Sequence, residues 1–159
     1  MPPIEKVIDA PVSHVFLVFA DIPRWPQIVS GIESVSLPDG LPSEGLREGT
    51  TFSETRTMFG RKVTETFRVT EVADGRLLTM QADSCGMLFT CRHTFEPVEG
   101  NRTRVTLTMD TRPTTLMARL MSPLTGLMQK SMCKKVDADL TEFKAACERS
   151  APAPSGATA

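Results

Sequence analysis

The sequence predicts an α+β fold: a curved antiparallel β-sheet wrapped around a long C-terminal α-helix, with two short helices after the first strand. Three observations predict it. From Ile32 to Thr111 short stretches alternate apolar and polar residues and are broken by glycine-bearing turns. Such alternation marks half-buried strands, and short turns between them imply an antiparallel meander. From Leu124 to Cys147 the apolar residues Leu124, Met128, Met132, Val136, Leu140, Phe143 and Cys147 recur mostly every fourth position, the mark of one apolar helix face. Between Ala10 and Val29 the prolines Pro11, Pro23 and Pro26 cut apolar sequence into pieces too short for long helices.

Taken in order, Ile4 to Ile8 reads as a strand, and Val12 to Ala20 as a buried helix with Pro11 at its start, where the missing amide hydrogen costs nothing. Asp21 to Val29 suits a bend with a short helical turn, and it carries Trp25, the only tryptophan. Strands follow at Ile32 to Leu37, Thr50 to Met58, Arg61 to Val72, Leu77 to Asp83, Met87 to Phe95 and Thr103 to Thr111. Phe59-Gly60 reads as a tight hairpin. Residues 114–121 suggest a separate helical turn, and Ser122-Pro123 an N-cap and first-turn proline for a helix running to about 148. Such a helix would be roughly 40 Å long and needs the sheet as its partner surface. Residues 1–149 are expected to form a single domain and 150–159 a disordered tail, since APAPSGATA has almost no apolar bulk.

Composition narrows the function classes. Apolar content of 40% and charged content of 23% are those of an ordinary globular protein. A net charge of −1 gives no electrostatic pull toward nucleic acid or an anionic membrane. No apolar run approaches the ~20 residues that span a bilayer, and the N-terminus lacks the pattern of a secretory signal. A cytoplasmic location, no nucleic-acid partner and no stable membrane insertion are the expectations. Cys85, Cys91, Cys133 and Cys147 form no C-x-x-C pair, and no metal-ligand spacing is present. All four are expected to be plain thiols, with no metal and no cofactor. Lys130, Lys134 and Lys135 cluster on the long helix, but Asp137 and Asp139 follow at once, so the cluster reads as a solvated face. His14 is expected to face solvent.

The most informative strand reads Met87-Leu88-Phe89-Thr90-Cys91-Arg92-His93-Thr94-Phe95. Successive side chains point to opposite faces, so His93 is the one titratable group on the face carrying Met87, Phe89, Cys91 and Phe95. That face looks into a core or a cavity. Phe52, Glu54, Arg56 and Met58 share one face of their strand, and Val63, Glu65, Phe67 and Val69 one face of the next. If both are inward, a carboxylate, a guanidinium and an imidazole converge on an apolar background. A register slip of one residue would reverse the assignment.

The order of elements resembles the START/Bet v 1-like (SRPBCC, helix-grip) superfamily, in its polyketide cyclase/dehydrase and lipid-transport branch. The residues carrying the resemblance are Ile8-Asp9-Ala10-Pro11-Val12-Ser13-His14-Val15-Phe16, Asp21-Ile22-Pro23-Arg24-Trp25-Pro26 and Gly49-Thr50-Thr51-Phe52. They are similar to that branch's opening strand and Ala-Pro helix start, its Asp-x-x-x-Trp-Pro bend and its Gly-initiated third strand. The resemblance covers about residues 3–148 and implies relatives among aromatase/cyclases, ubiquinone-binding proteins and lipid carriers, so fold membership leaves function open.

Three readings stand. The first is a module that binds a hydrophobic small molecule, polyketide-like or lipid-like, walled by Trp25, Phe52, Glu54, Phe67, Met87, Phe89, Cys91, Met109, Met128 and Met132. The second is a cyclase/dehydrase-type enzyme. There His93 acts as acid or base, Arg56 stabilises an enolate oxygen, and Glu65 or Glu54 orients the imidazole or keeps it charged. The third is a macromolecular interaction protein. A plainer arrangement competes with the second: Glu and Arg pair with each other, and His93 donates to a backbone carbonyl. The chain is expected to be a monomer or homodimer.

Overall fold

The computed structural model describes residues 2–41, 45–58, 60–84, 86–116 and 125–152, with the side chains of Met58 and residues 125–130 outside that description. Strand β1 (Ile4–Ile8) leads into helix α1 (Val12–Ala20), a 3-10 turn (Ile22–Arg24) and the short helix α2 (Trp25–Ile28). Strands β2 (Ile32–Ser36), β3 (Thr51–Met58), β4 (Arg61–Ala73), β5 (Leu77–Ser84), β6 (Met87–Val98) and β7 (Arg102–Pro113) follow. The long helix α3 spans Thr125–Ser150. Together they form the helix-grip fold that the alternation and the helical periodicity predict.

One seven-stranded antiparallel sheet runs in the order β1-β7-β6-β5-β4-β3-β2. The meander from β2 to β7 is sequential, and β1 closes the far edge by pairing with β7 from Ile4 opposite Leu107 to Ile8 opposite Thr103. Register shifts between Ile32 and Ser34 in β2 and between Val69 and Glu71 in β4 bend the sheet, because a bulged strand bends and twists more strongly. Between β3 and β4 the pair Met58–Arg61 closes a two-residue turn with Gly60 at φ 75°, a conformation that glycine adopts without steric cost.

The two faces of the sheet separate by chemistry. The convex face carries hydroxyl pairs such as Ser53–Thr66 at 2.9 Å and Thr55–Thr64 at 2.8 Å, and the ion pair Arg92–Glu71 at 2.7 Å. The concave face holds the core. Val15, Phe16 and Phe19 of α1 meet Phe95 of β6, and Leu140, Phe143 and Cys147 of α3 close over them. Phe19 stacks on Phe143 with ring centroids 4.4 Å apart.

The C-terminal part of α3 is clasped by polar contacts. Lys144 Nζ donates to the Val7 carbonyl at 2.7 Å, and the Glu148 carboxylate accepts from the Asp9 N–H at 2.9 Å. Glu142 receives both the backbone N–H and the hydroxyl of Ser30, and Lys6 pairs with Asp137 at 2.8 Å. His14 differs from its expected solvent-facing role. It is half-buried, with Nε2 3.1 Å from the Cys147 carbonyl and 3.1 Å from Ser150 Oγ, which ties α1 to α3.

The strands β6 and β7 extend past the expected ends, because their pairing continues to Val98–Arg102 and Met87–Pro113. Helix α3 reaches Ser150 rather than stopping near 148. Ser122-Pro123, most of 114–121, and 153–159 of the expected tail lie outside the described residues. Cys91, Cys133 and Cys147 are free thiols, and Cys85 lies outside the described residues. No helix among the described residues is long and apolar enough to cross a membrane.

Candidate functional site

A cavity of about 140 Å³ lies between the concave face of the sheet and α3. Its apolar wall includes Phe19, Trp25, Phe67, Phe89, Cys91, Met109, Met132 and Phe143. Set into that wall are Glu54, Arg56, Glu65, His93 and Asp139. A wall of this kind, mostly apolar with a few polar groups, is the usual form of a small-molecule pocket.

The strand register explains how the polar groups meet. Glu54 and Glu65 are partners across β3 and β4, with Phe52 opposite Phe67 and Arg56 opposite Val63 on the same face. The alternation along β4 shows in burial: Val63, Glu65 and Phe67 are half-buried and Val69 fully buried, while Lys62, Thr64, Thr66 and Arg68 are exposed. The inward register expected for both strands is therefore the one found. His93 sits between Leu78 of β5 and Leu107 of β7, deep in the sheet.

Arg56 joins the sheet to the helix. Its Nε donates to Glu54 Oε1 at 2.5 Å, and its Nη1 donates to Asp139 Oδ2 at 2.9 Å. Burial works against the guanidinium charge, but Glu54 and Asp139 outweigh it and hold Arg56 protonated more firmly than in water. Glu54 is 5% exposed. Burial pushes its carboxyl up, against the pull of Arg56, and the charges of Asp139 and Glu65 push the same way as burial. Glu65 has no hydrogen bond or ion pair among the described residues.

His93 is neutral. Burial pulls its pKa down to about 4, only partly offset by the Leu78 backbone. Part of the residue is accessible at the cavity, but the ring's Nδ1 is buried, so burial governs the imidazole. Its Nδ1 is buried and has no hydrogen-bond partner among the described residues, and Phe19 lies against the ring at 5.6 Å. The expected carboxylate that would orient the imidazole or keep it charged is a correction: Glu54 bonds to Arg56, and no carboxylate hydrogen-bonds to His93 among the described residues. The Cys91 thiol is pushed up to about 12 by burial and by the charges of Glu65 and Glu54, so it stays protonated and contributes packing surface.

Of the expected site residues, His93, Arg56, Glu65, Trp25, Glu54, Phe67, Phe89, Cys91, Met109 and Met132 are brought together around the cavity. Phe52 is not among the lining residues: it is 1% exposed, stacked on Phe67 at 5.3 Å and capped edge-on by Trp25. Met87 is also absent from the wall, because it sits at the start of β6 opposite Ser84 and Pro113. The side chain of Met128 lies outside the described residues. Trp25 is both wall and plug, with Nε1 donating to the Phe19 carbonyl at 3.1 Å.

Asp139 is the charged site residue that sequence reasoning missed, as it missed the wall residues Phe19 and Phe143. Set beside Asp137, it reads as part of a solvated acidic face. Its signal lay in the spacing Val136, Asp139, Leu140, Phe143, an i, i+3, i+4, i+7 series that puts all four on one helix face. Asp137 points the other way, to Lys6.

The family follows from the whole chain. A model for polyketide cyclase / dehydrase and lipid transport proteins matches residues 4–148. The chain belongs to this family. No curated protein matches it. Among solved structures it is similar to the Zhui aromatase/cyclase from Streptomyces sp. R1128, with 18% identity, a TM-score of 0.74 and coverage of 98% of each chain. A protein from Thermus thermophilus matches with 22% identity and a TM-score of 0.71, covering 94% of this chain and 98% of that one. A START superfamily protein from Mycobacterium smegmatis matches with 11% identity and a TM-score of 0.63, covering 89% and 97%. These likenesses support the helix-grip fold.

Proposed function

We propose that this polyketide cyclase/dehydrase and lipid-transport family member binds a hydrophobic small molecule, polyketide-like or lipid-like, between the sheet and α3. The observation that carries this reading is the cavity itself, apolar over most of its wall yet holding a half-buried Arg56 with its two carboxylates. At about 140 Å³ the cavity is close in size to an engineered cavity that admits benzene. A larger ligand would be accommodated by Met109 and Met132, whose unbranched chains rearrange easily. We take the chain as a cytoplasmic monomer or homodimer without a nucleic-acid partner, its residues 1–149 forming one domain. Native mass spectrometry of purified protein, followed by organic extraction, tests the proposal. A discrete small molecule at near-stoichiometric occupancy supports it; an apo mass that no hydrophobic compound shifts goes against it.

A second reading, a cyclase/dehydrase-type reaction, is favoured by one observation: a neutral His93 shares the cavity with Arg56. In such a reaction the imidazole removes a proton beside a carbonyl. The C–H electron pair becomes the enolate, whose oxygen Arg56 stabilises. The same proton then returns to a departing hydroxyl, which leaves as water. Because Arg56 is already shared by Glu54 and Asp139, only its remaining N–H groups would reach substrate. Replacing His93 with Gln separates the readings: under catalysis turnover collapses while ligand affinity survives. The third reading, a macromolecular interaction protein, finds no specific support in the geometry.

A further inference from the structure

The charge of the cavity wall bears on which ligands it takes, given the small-molecule site proposed above. Three carboxylates line it, those of Glu54, Glu65 and Asp139, against one guanidinium. Arg56 is the only cation among the described lining residues, and both Glu54 and Asp139 already bond to it. Glu65 remains without a hydrogen bond or ion pair among the described residues, directly across from Glu54. Two like charges opposed on an apolar face are unfavourable, and an unmet carboxylate there accepts a hydrogen bond or a positive charge from whatever enters.

We infer that the cavity selects a hydrophobic ligand that carries a hydrogen-bond donor, a hydroxyl or an ammonium, and discriminates against carboxylates such as free fatty acids. A ligand carboxylate would bring a further negative charge into a low-dielectric space whose only guanidinium is already compensated. That is repulsion built into the site rather than a missing attraction. A phenol or an ammonium instead meets Glu65 as a charge-assisted hydrogen bond, the stronger class of such contacts. The shared chemistry is the donor, and the two donor types separate in the test.

The test uses three ligands of one skeleton: 2-naphthol, 2-naphthylmethylamine and 2-naphthoate. Each is titrated into the full chain at pH 7 and followed by NMR chemical shifts of residues lining the cavity. The naphthol or the amine should bind at least 10-fold more tightly than the naphthoate. Glu65→Gln should shrink that preference several-fold, more for the amine than for the naphthol. The wild-type series is informative even without the variant. Naphthoate binding as tightly as both donors overturns the inference while leaving the cavity a ligand site. A preference unchanged by Glu65→Gln overturns the role of Glu65, and binding by none of the three overturns both this inference and the small-molecule reading.

Discussion

Glu54 and Glu65 stand directly opposite each other across β3 and β4, and both carboxylates face the cavity under α3. Only one of them is neutralised, because Arg56 bonds to Glu54 and to Asp139 but not to Glu65. The site thus keeps an excess of acceptors on an apolar wall, and its titration behaviour follows from that arrangement.

Glu54 links stability to pH. Burial first, and then the neighbouring carboxylates, raise its folded pKa above 4.5. The folded state therefore holds the proton more tightly than the unfolded state. Its contribution is fully present below pH 4.5 and is lost as pH rises through the raised folded value. Urea denaturation at several pH values should show Glu54→Gln gaining on the wild type as pH rises through that window. A constant difference would contradict the assignment.

His93 acts with the opposite sign. Its folded pKa of about 4 lies below the 6.5 of an exposed imidazole, so the unfolded chain binds its proton first as pH falls. The stability it contributes is present above pH 6.5 and is lost down to about 4, amounting to about 3 kcal/mol. The variant His93→Leu should flatten the stability profile over that range. NMR titration of the ring should show a neutral imidazole at pH 6.

Removing the guanidinium strands two carboxylates. Arg56→Met should destabilise by about 2–3 kcal/mol, less than the ~3–5 kcal/mol of a fully buried pair broken from one side, because Arg56 and Asp139 are only half-buried. Arg56→Lys should recover only part, since one ammonium does not reproduce the two-sided fork. The triple change Arg56→Met, Glu54→Leu and Asp139→Leu should recover most of it. Chemical denaturation of the four proteins checks the series.

Two glycines with the same backbone requirement should separate cleanly. Gly75 and Gly86 lie at φ 67° and 74°, but a Cβ on Gly75 meets open space while one on Gly86 meets Thr115 Oγ1 at 2.5 Å. Gly75→Ala should cost about 1–2 kcal/mol, the left-handed penalty alone. Gly86→Ala should cost measurably more, because Thr115 must move as well. Equal losses in thermal melts would rule out the close approach.

Much of the site was legible because strand alternation carries it. Phe52 and Arg56 share an inward face with Glu54, as do Val63, Glu65 and Phe67 on β4, and period-two patterning shows such faces directly. What local patterning does not encode is pairing between distant segments. The closure of β1 on β7 and the bond from Arg56 to Asp139 join residues far apart in sequence. The partner of Arg56 was hidden for that reason, even though the helical spacing around Asp139 was visible. His93 shows the other limit. Its inward face was plain, but its neutrality depends on the enclosure built by α1 and the sheet, seen in the contact with Phe19.

The account rests on the cavity being occupied, so the most direct measurement fills it from within. Cys91 lines the cavity from the middle of β6, and Cys91→Phe would place a ring in the space at a cost of about 1–3 kcal/mol from overpacking. Wild type and variant, purified alike and shown to be folded by circular dichroism, are compared by native mass spectrometry. The account predicts a discrete bound small molecule on the wild type and its loss from the variant. The same molecule at the same occupancy on both proteins would contradict it, since the ligand would then sit elsewhere.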